Sequence, residues 1–303
     1  CLARYISDDL MAWTNIEPFT EFEADAEILE CPDIFKMGDK WYLTYSRINR
    51  DQHRKTFYRI ADTPEGPWRT VLENGLPQET FDGLFLYAGK TASNGADRYI
   101  SGWCSTGEKV NNSNELQWAG ALISHKIVQA PSGRLYAVIP DAMNNKFVTE
   151  SLCNSLLKSG SVSETADGYN IGSDGKVVFN RNGTSCRITM TIDASAANKF
   201  GIALGACDEQ DNINKLELDL TNNHWGRPCV FMYNNDEEIN FTTIDIPDDR
   251  KFNITLVIEK SVCTMYINGK TAFTNRIYKM YNNPWMIYSA EGTTLFTDIK
   301  IYK

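Results

Sequence analysis

The chain has 303 residues, a formal net charge of -9, eight cysteines and three histidines, which is enough sequence for one large β domain or two ordinary ones. The negative charge argues against nucleic acid as a partner, because binding to phosphates depends on basic residues, and no apolar run approaches the ~18 residues of a membrane span. A neutral ligand such as a sugar fits this charge better. The cysteines are scattered without a C-x-x-C pair, so we expect no metal site, and we expect no cofactor.

Residues 1–145 alternate short strands with turns and show no long helical period, which indicates an all-β domain. A polar turn that ends in a tryptophan follows a strand twice, in Ser7–Trp13 and in Ala61–Trp68. Such recurrence of strand, turn and aromatic residue is typical of a β-propeller. We therefore expect Trp13 and Trp68 to pack between blades.

The stretch Ala26–Ser46 contains the most informative motif of this half. It is typical of two strands joined by a tight turn at Gly38-Asp39. Pro32 has no N–H to donate to a sheet ladder, so we expect the first strand to end there and Glu30 to point into a cleft. By composition alone, Glu30 is one solvated acid among 39.

Further strands are predicted at Leu84–Lys90, Arg98–Cys104, Ala119–Val128 and Arg134–Ile139.

Residues 146–303 form the second predicted domain. A Ser- and Gly-rich segment leads into strands that alternate apolar and polar residues, as in Arg187–Asp193 and Asn253–Glu259. Alternation of this kind is typical of antiparallel sheets with one solvated face. Asn268-Gly269 between two apolar runs predicts a tight hairpin. Together these features predict a β-sandwich or jelly roll.

Several motifs resemble glycoside hydrolase family 32, the β-fructosidases, which include invertases, inulinases and levanases. Residues 30–33, Glu-Cys-Pro-Asp, are similar to the acid/base motif of that family. Phe81–Thr91, together with Arg98–Trp103, resembles its run of an aspartate, Tyr-Ala, Lys-Thr and a Gly-Trp strand. Met265–Lys270 is similar to a hairpin of its C-terminal module. The resemblance implies a five-bladed β-propeller, here partial, followed by a C-terminal β-sandwich.

The resemblance also implies roles for individual residues. Glu30 is expected to be the general acid/base of a retaining glycosidase. Asp82 is expected to hold sugar hydroxyls, with Tyr87, Lys90 and Trp103 as further substrate-binding residues. From the residues alone, Asp82 and the glycine after it fit a plain turn equally well, and a strand tryptophan such as Trp103 is often core.

The sequence departs from the family pattern in ways that bear on activity. The family's invertases often carry a lysine where this chain has Phe85, which places a preference for sucrose in doubt. The motif with the family's nucleophilic aspartate, Trp-Met-Asn-Asp-Pro-Asn-Gly, does not occur here, and neither does its Arg-Asp-Pro motif. Asp33 is expected to be a structural hydrogen-bond acceptor, because residues three apart on a strand point to opposite faces.

We therefore expect the nucleophile and about two of the five blades to be absent, and this chain to be inactive by itself. A propeller without those blades would expose strand edges and apolar faces. Either another chain supplies the missing blades, or residues 1 to about 25 are poorly packed.

The expected function is hydrolysis of fructosyl bonds in fructans or sucrose, with retention, on an oligo- or polysaccharide substrate. The family alone points to a periplasmic or extracellular location. Two alternatives stay open: a non-catalytic carbohydrate-binding or surface protein on a degenerate propeller, and a pentofuranosidase that resembles family 43.

Overall fold

The computed structural model describes residues 1–18, 26–49, 54–107, 116–180, 183–205, 213–224, 226–278 and 283–303. Nearly all of these residues lie in β-strands or their turns, as predicted. The chain divides into two compact units: Cys1–Trp103 with Leu122–Ala137, and Cys104–Ala121 with Val138–Lys303. In the described ranges, every helix is too short or too polar to cross a bilayer.

Short antiparallel sheets build the first half of the chain. Their strands are β1 (Arg4–Ile6), β2 (Thr14–Ile16), β3 (Ala26–Met37), β4 (Lys40–Asn49), β5 (Arg54–Ala61), β6 (Val71–Glu73), β7 (Leu76–Gln78), β8 (Tyr87–Ser93), β9 (Arg98–Gly107), β10 (Leu116–Gln129) and β11 (Leu135–Val138). β1 pairs with β2, β6 pairs with β7, and β3, β4 and β5 form a three-stranded sheet. The last four strands form a sheet in the order β11-β10-β9-β8. The four strands predicted after residue 84 are thus present, with small shifts of their ends.

β3 and β4 form the predicted hairpin around residues 38–39. The expectation that β3 ends at Pro32 is wrong, because the strand continues through the proline. A β-bulge between Glu30 and Asp33 interrupts the ladder at this point, and a bulge is one of the few places where a strand tolerates proline. Cys31, inside the bulge, has a φ of 54°.

The two tryptophans that were expected to pack between blades behave differently. Trp68 is partly buried against a core cluster built mainly from β4 and β5. Trp13 is 56% exposed, so the prediction is wrong for this residue, and Met11 on the same hairpin is 86% exposed. This exposure agrees with the predicted poor packing of residues 1 to about 25, of which 19–25 lie outside the described residues.

A β-sandwich forms most of the second unit, as predicted. Its elements follow α1 (Asp141–Lys146) and are β12 (Glu150–Ser151), β13 (Ser155–Ser159), β14 (Val162–Glu164), β15 (Gly168–Ile171), β16 (Lys176–Phe179), β17 (Ser185–Leu204), β18 (Asn214–His224), β19 (Arg227–Asn234), β20 (Glu237–Thr243), β21 (Lys251–Glu259), β22 (Val262–Ile267), β23 (Thr271–Arg276) and β24 (Trp285–Tyr302). The long strands β17 and β24 pair with each other, with register shifts along the ladder. The first part of β17 also pairs with β21 and its second part with β18, so this strand joins the two groups of strands.

The sandwich follows the sequence pattern closely. In β17, Ile188, Met190 and Ile192 are buried, whereas the residues between them are partly exposed. The predicted hairpin at Asn268-Gly269 joins β22 and β23, and both turn residues have positive φ angles, 53° and 60°. Both predictions are therefore confirmed.

Candidate active site

Glu30 is the last residue before the bulge of β3, and its side chain is partly exposed. The hydroxyl of Tyr87, on β8, donates a hydrogen bond of 2.5 Å to Oε1 of Glu30. Tyr87 is only 1% exposed, so its ring has little freedom to move. The hydrogen bond therefore fixes the orientation of the Glu30 carboxylate.

Two further contacts fasten the β3 bulge to β8. Oδ2 of Asp33 accepts hydrogen bonds from the backbone N of Thr91 at 2.8 Å and from its Oγ1 at 2.7 Å. The ammonium group of Lys90 donates to the carbonyl oxygen of Pro32. Asp33 is thus a structural acceptor, as expected. The Glu-Cys-Pro-Asp motif and the Tyr-Ala-Gly-Lys-Thr run, far apart in sequence, lie side by side.

β8 has a bulge of its own between Tyr87 and Lys90. Ala88, inside this bulge, has a φ of 54°. Gly89 approaches Thr56 so closely that a Cβ would lie 2.7 Å from its methyl carbon. Both strands are therefore irregular where they meet, and the irregularity sets where Tyr87 and Glu30 point.

Trp103 supports the tyrosine that holds Glu30. Its ring packs edge-on against Tyr87, with centroids 5.6 Å apart and an interplanar angle of 77°. The structure thus brings Tyr87, Trp103 and Lys90 close to the β3 bulge, as the motifs indicate. The contacts of these three residues in the structure are with protein groups, and a contact of any of them with substrate stays a prediction.

Asp82 was expected to hold sugar hydroxyls. Its side chain is fully buried and pairs with the buried His125, with Oδ2 and Nε2 3.0 Å apart. Its other oxygen accepts a 2.6 Å hydrogen bond from the backbone N of Gly83, as in a turn. These contacts of Asp82 are with protein groups, and its contact with a sugar stays a prediction. His125 lies 43 positions from Asp82 in the chain, and no spacing motif in the sequence indicates their pairing.

The bulge of β3 also contains the thiol of Cys31, which is a second group that could be reactive. Burial and then the charge of Glu30 raise the pKa of Cys31, and the nearby Lys90 offsets this only in part. A thiol with a raised pKa stays protonated at neutral pH and is a poor nucleophile. Cys31 is therefore a poor candidate for a reactive group.

Family models match both halves of the chain. The model of the glycosyl hydrolases family 32 N-terminal domain matches residues 1–137, and the model of the GH32, BT1760-like, C-terminal domain matches residues 133–301. The chain belongs to glycoside hydrolase family 32. The assignment confirms the resemblance carried by the motifs, and with it an all-β fold of the propeller type followed by a C-terminal β-sandwich.

Among the relatives of this family 32 chain is the sucrose-6-phosphate hydrolase of Escherichia coli. It is 22% identical over 286 residues, which are 90% of this chain and 55% of that protein. Among solved structures, a Bombyx mori GH32 β-fructofuranosidase has a TM-score of 0.65 at 18% identity, and an Aspergillus awamori exo-inulinase has 0.68 at 16%. Each match covers 99% of this chain but 60% and 62% of those chains. The chain thus spans between about half and two thirds of the length of these relatives.

Proposed function

We propose that this chain is part of a retaining β-fructosidase in which Glu30 is the general acid/base. The observation that supports this best is the setting of Glu30, a partly exposed carboxylate at a bulge, oriented by a buried tyrosine, in a family 32 domain. A carboxyl group that is held in one orientation and is still reachable from solvent can exchange a proton with a bound sugar.

Glu30 transfers a proton twice in the proposed mechanism. It first protonates the leaving oxygen of the glycosidic bond, and later removes a proton from the water that releases the fructosyl group, as retention requires. Because the hydroxyl of Tyr87 occupies Oε1, we assign the proton transfer to Oε2.

A retaining glycosidase also needs a nucleophilic carboxylate about 5 Å from the first. Asp33 is hydrogen-bonded to Thr91, and Asp82 is buried with His125, so neither fits this role. We propose that the nucleophilic aspartate comes from sequence that this chain does not carry. By itself, this chain is then inactive.

The proposed substrates are fructans, with sucrose as the second choice. Phe85, where the family's invertases often carry a lysine, is 2% exposed and offers a sugar no charged contact. The match of both halves to family 32 favours fructosyl substrates over the pentofuranosides of the family 43 alternative. Export to the periplasm or the extracellular space stays a prediction.

The test compares this chain with a version extended by the sequence encoded upstream of it, on levan, inulin and sucrose. We expect hydrolysis by the extended protein alone, and loss of its activity in the variant Glu30→Gln. The matched control is Glu65→Gln, which changes an exposed glutamate of the same unit. Since a general acid matters most for a poor leaving group, Glu30→Gln should retain more activity on an aryl fructoside than on levan.

Two outcomes would contradict the proposal. Equal hydrolysis by the chain and by the extended protein would show that the nucleophile is not missing. An extended protein that binds fructan without cleaving it would favour the non-catalytic, carbohydrate-binding alternative, because then Glu30 has no chemistry to perform.

A further inference from the structure

The β-sandwich contains an open cleft of about 260 Å³. It is lined by the β14–β15 hairpin, residues Glu164–Tyr169, and by Cys153, Phe179 and Ile299. We propose that this cleft is a second saccharide-binding site, which takes part of a fructosyl chain. The choice of a fructosyl chain rests on the proposed function, whereas the saccharide character of the ligand rests on the cleft itself.

Tyr169 provides the cleft with a rigid aromatic wall. Phe179 packs edge-on against it, with centroids 5.9 Å apart, and stacks in turn on Trp285 at 4.5 Å. Phe179 and Trp285 are each only 1% exposed, whereas Tyr169 is partly exposed. A tyrosine held in this way gives a large amphipathic contact surface and loses little conformational entropy on binding. Such a ring suits the C–H face of a sugar.

Charged groups beside the ring supply both kinds of hydrogen-bonding partner. Glu164 and Asp167 line the cleft as acceptors, and Lys158 is a donor that forms an ion pair with Glu164. The Nζ atom of Lys158 lies 5.7 Å from the ring centroid of Tyr169. A ligand with many neutral hydroxyl groups can use the donor, the acceptors and the ring together.

Other ligand classes fit the cleft less well. Two carboxylates against one lysine disfavour a phosphorylated or sulfated ligand. Among the described residues, no group of three or more His, Cys, Asp or Glu is placed to hold a metal ion. Burial raises the pKa of the Cys153 thiol to about 12, so it stays protonated and unreactive.

The cleft is preformed. The backbone N of Thr165 donates to the carbonyl oxygen of Gly168 at 2.9 Å, which closes the β14–β15 turn. Gly168 lies so close to β24 that a Cβ would be 1.8 Å from the carbonyl oxygen of Phe296.

The test measures binding of levan- and inulin-derived oligosaccharides to the full chain by isothermal titration calorimetry. We expect Tyr169→Ala to weaken binding about tenfold, because the aromatic contact is lost. The control is Asn170→Ala, on the adjacent exposed residue of β15, and it should leave binding unchanged. In the unsubstituted chain with 13C-labelled tyrosine, the NMR signal of Tyr169 should shift when oligosaccharide is added.

Two results would overturn the proposal: no binding at millimolar oligosaccharide, or binding that survives Tyr169→Ala. If Tyr169→Ala does not fold, two other measurements replace it. The NMR signal of Tyr169 in the unsubstituted chain must shift with oligosaccharide, and Asp167→Ala must weaken binding; without these changes the proposal is wrong. These experiments measure binding and not hydrolysis, so a cleft that binds no saccharide leaves the proposed function intact. Conversely, an inactive extended protein that binds through Tyr169 would refute the proposed function and not the cleft.

Discussion

The hydroxyl of Tyr87 lies 2.5 Å from Oε1 of Glu30, although the two residues are 57 positions apart in the chain. They meet where two bulged strands lie side by side, and each bulge holds a residue with a left-handed backbone, Cys31 and Ala88. Such conformations cost non-glycine residues roughly 1–3 kcal/mol each and persist only when neighbouring contacts hold them. The orientation of Glu30 is therefore a property of β3 and β8 together.

Tyr87→Phe removes the hydroxyl that holds Glu30 and keeps the buried ring. If the carboxylate needs this bond to stay aligned, kcat/KM of the extended enzyme on levan should fall about tenfold, with little change in Tm. Steady-state kinetics and a thermal melt of the same samples check both parts. Tyr99→Phe removes a tyrosine hydroxyl from β9 instead and should leave kcat/KM as it is. An unchanged kcat/KM for Tyr87→Phe would mean that Glu30 is oriented by other groups.

Asp33→Ala removes the acceptor of both hydrogen bonds from Thr91. Since one of these donors is a backbone N–H in the bulged part of β8, we expect the free energy of unfolding of the first unit to fall by about 2 kcal/mol. Urea denaturation followed by tryptophan fluorescence measures this change. Asp8→Ala alters an exposed aspartate of the β1–β2 hairpin and serves as the control. Coinciding denaturation curves for Asp33→Ala and the unsubstituted chain would show that the hydrogen bonds between Asp33 and Thr91 do not stabilise the fold.

Local chemistry explains why parts of the fold could be predicted. The turns at residues 38–39 and 268–269 need positive φ angles that glycine and asparagine adopt readily, so a few residues suffice to specify each hairpin. The alternation of Ile188 and Ile192 with polar residues likewise predicts which side of β17 is buried. Each of these signals is contained in one short stretch of sequence.

The contacts of the candidate site are not contained in one stretch. Pro32 predicts a strand end by itself, whereas in the fold a bulge lets β3 continue, and partners from β8 hold that bulge. The role of Asp82 likewise depends on His125, which only the pairing of strands β8 to β10 brings near it. Motifs could therefore indicate which residues gather near Glu30, but not which of them face a sugar.

Gly102→Ala tests how tightly β9 packs behind Tyr87. A Cβ at this position would lie 2.6 Å from the carbonyl oxygen of Tyr87 and 2.8 Å from Cδ1 of Leu86. Because the first of these atoms is backbone, β8 must move, and we expect a loss of about 1–3 kcal/mol in stability with reduced activity of the extended enzyme. Thermal melts and levan hydrolysis measure the two effects.

Glu217 makes the stability of the second unit depend on pH. Burial raises its pKa above the ordinary 4.5, and the 2.9 Å hydrogen bond from the Tyr288 hydroxyl offsets this only in part. The folded state therefore binds more protons than the unfolded state, so this contribution to stability is fully present below about pH 4.5 and is lost as pH rises through the raised pKa.

Glu217→Gln removes that titration and keeps an oxygen for Tyr288. We expect the Tm of the variant, relative to the unsubstituted chain, to increase as pH rises between about pH 4 and 7. Thermal melts across this range measure the difference. Glu237→Gln changes an exposed glutamate of β20 and should show no such trend. A constant difference for Glu217→Gln would mean that the pKa of Glu217 is not raised by folding.

Variants of Asp82 and His125 can distinguish a structural role of Asp82 from a sugar-binding role. With both side chains at most 1% exposed, Asp82→Ala or His125→Ala removes one member of a buried polar pair, and each should cost about 1–3 kcal/mol. The double variant should cost less than the sum, with a coupling of about 1–2 kcal/mol, because neither group is then left behind. Denaturation of the four proteins measures the coupling. Two results together would instead support Asp82 as a sugar-binding residue: additive costs of the two substitutions, and a raised KM for levan in a fully folded extended Asp82→Ala enzyme. A purely structural pair has no reason to change KM in an intact fold.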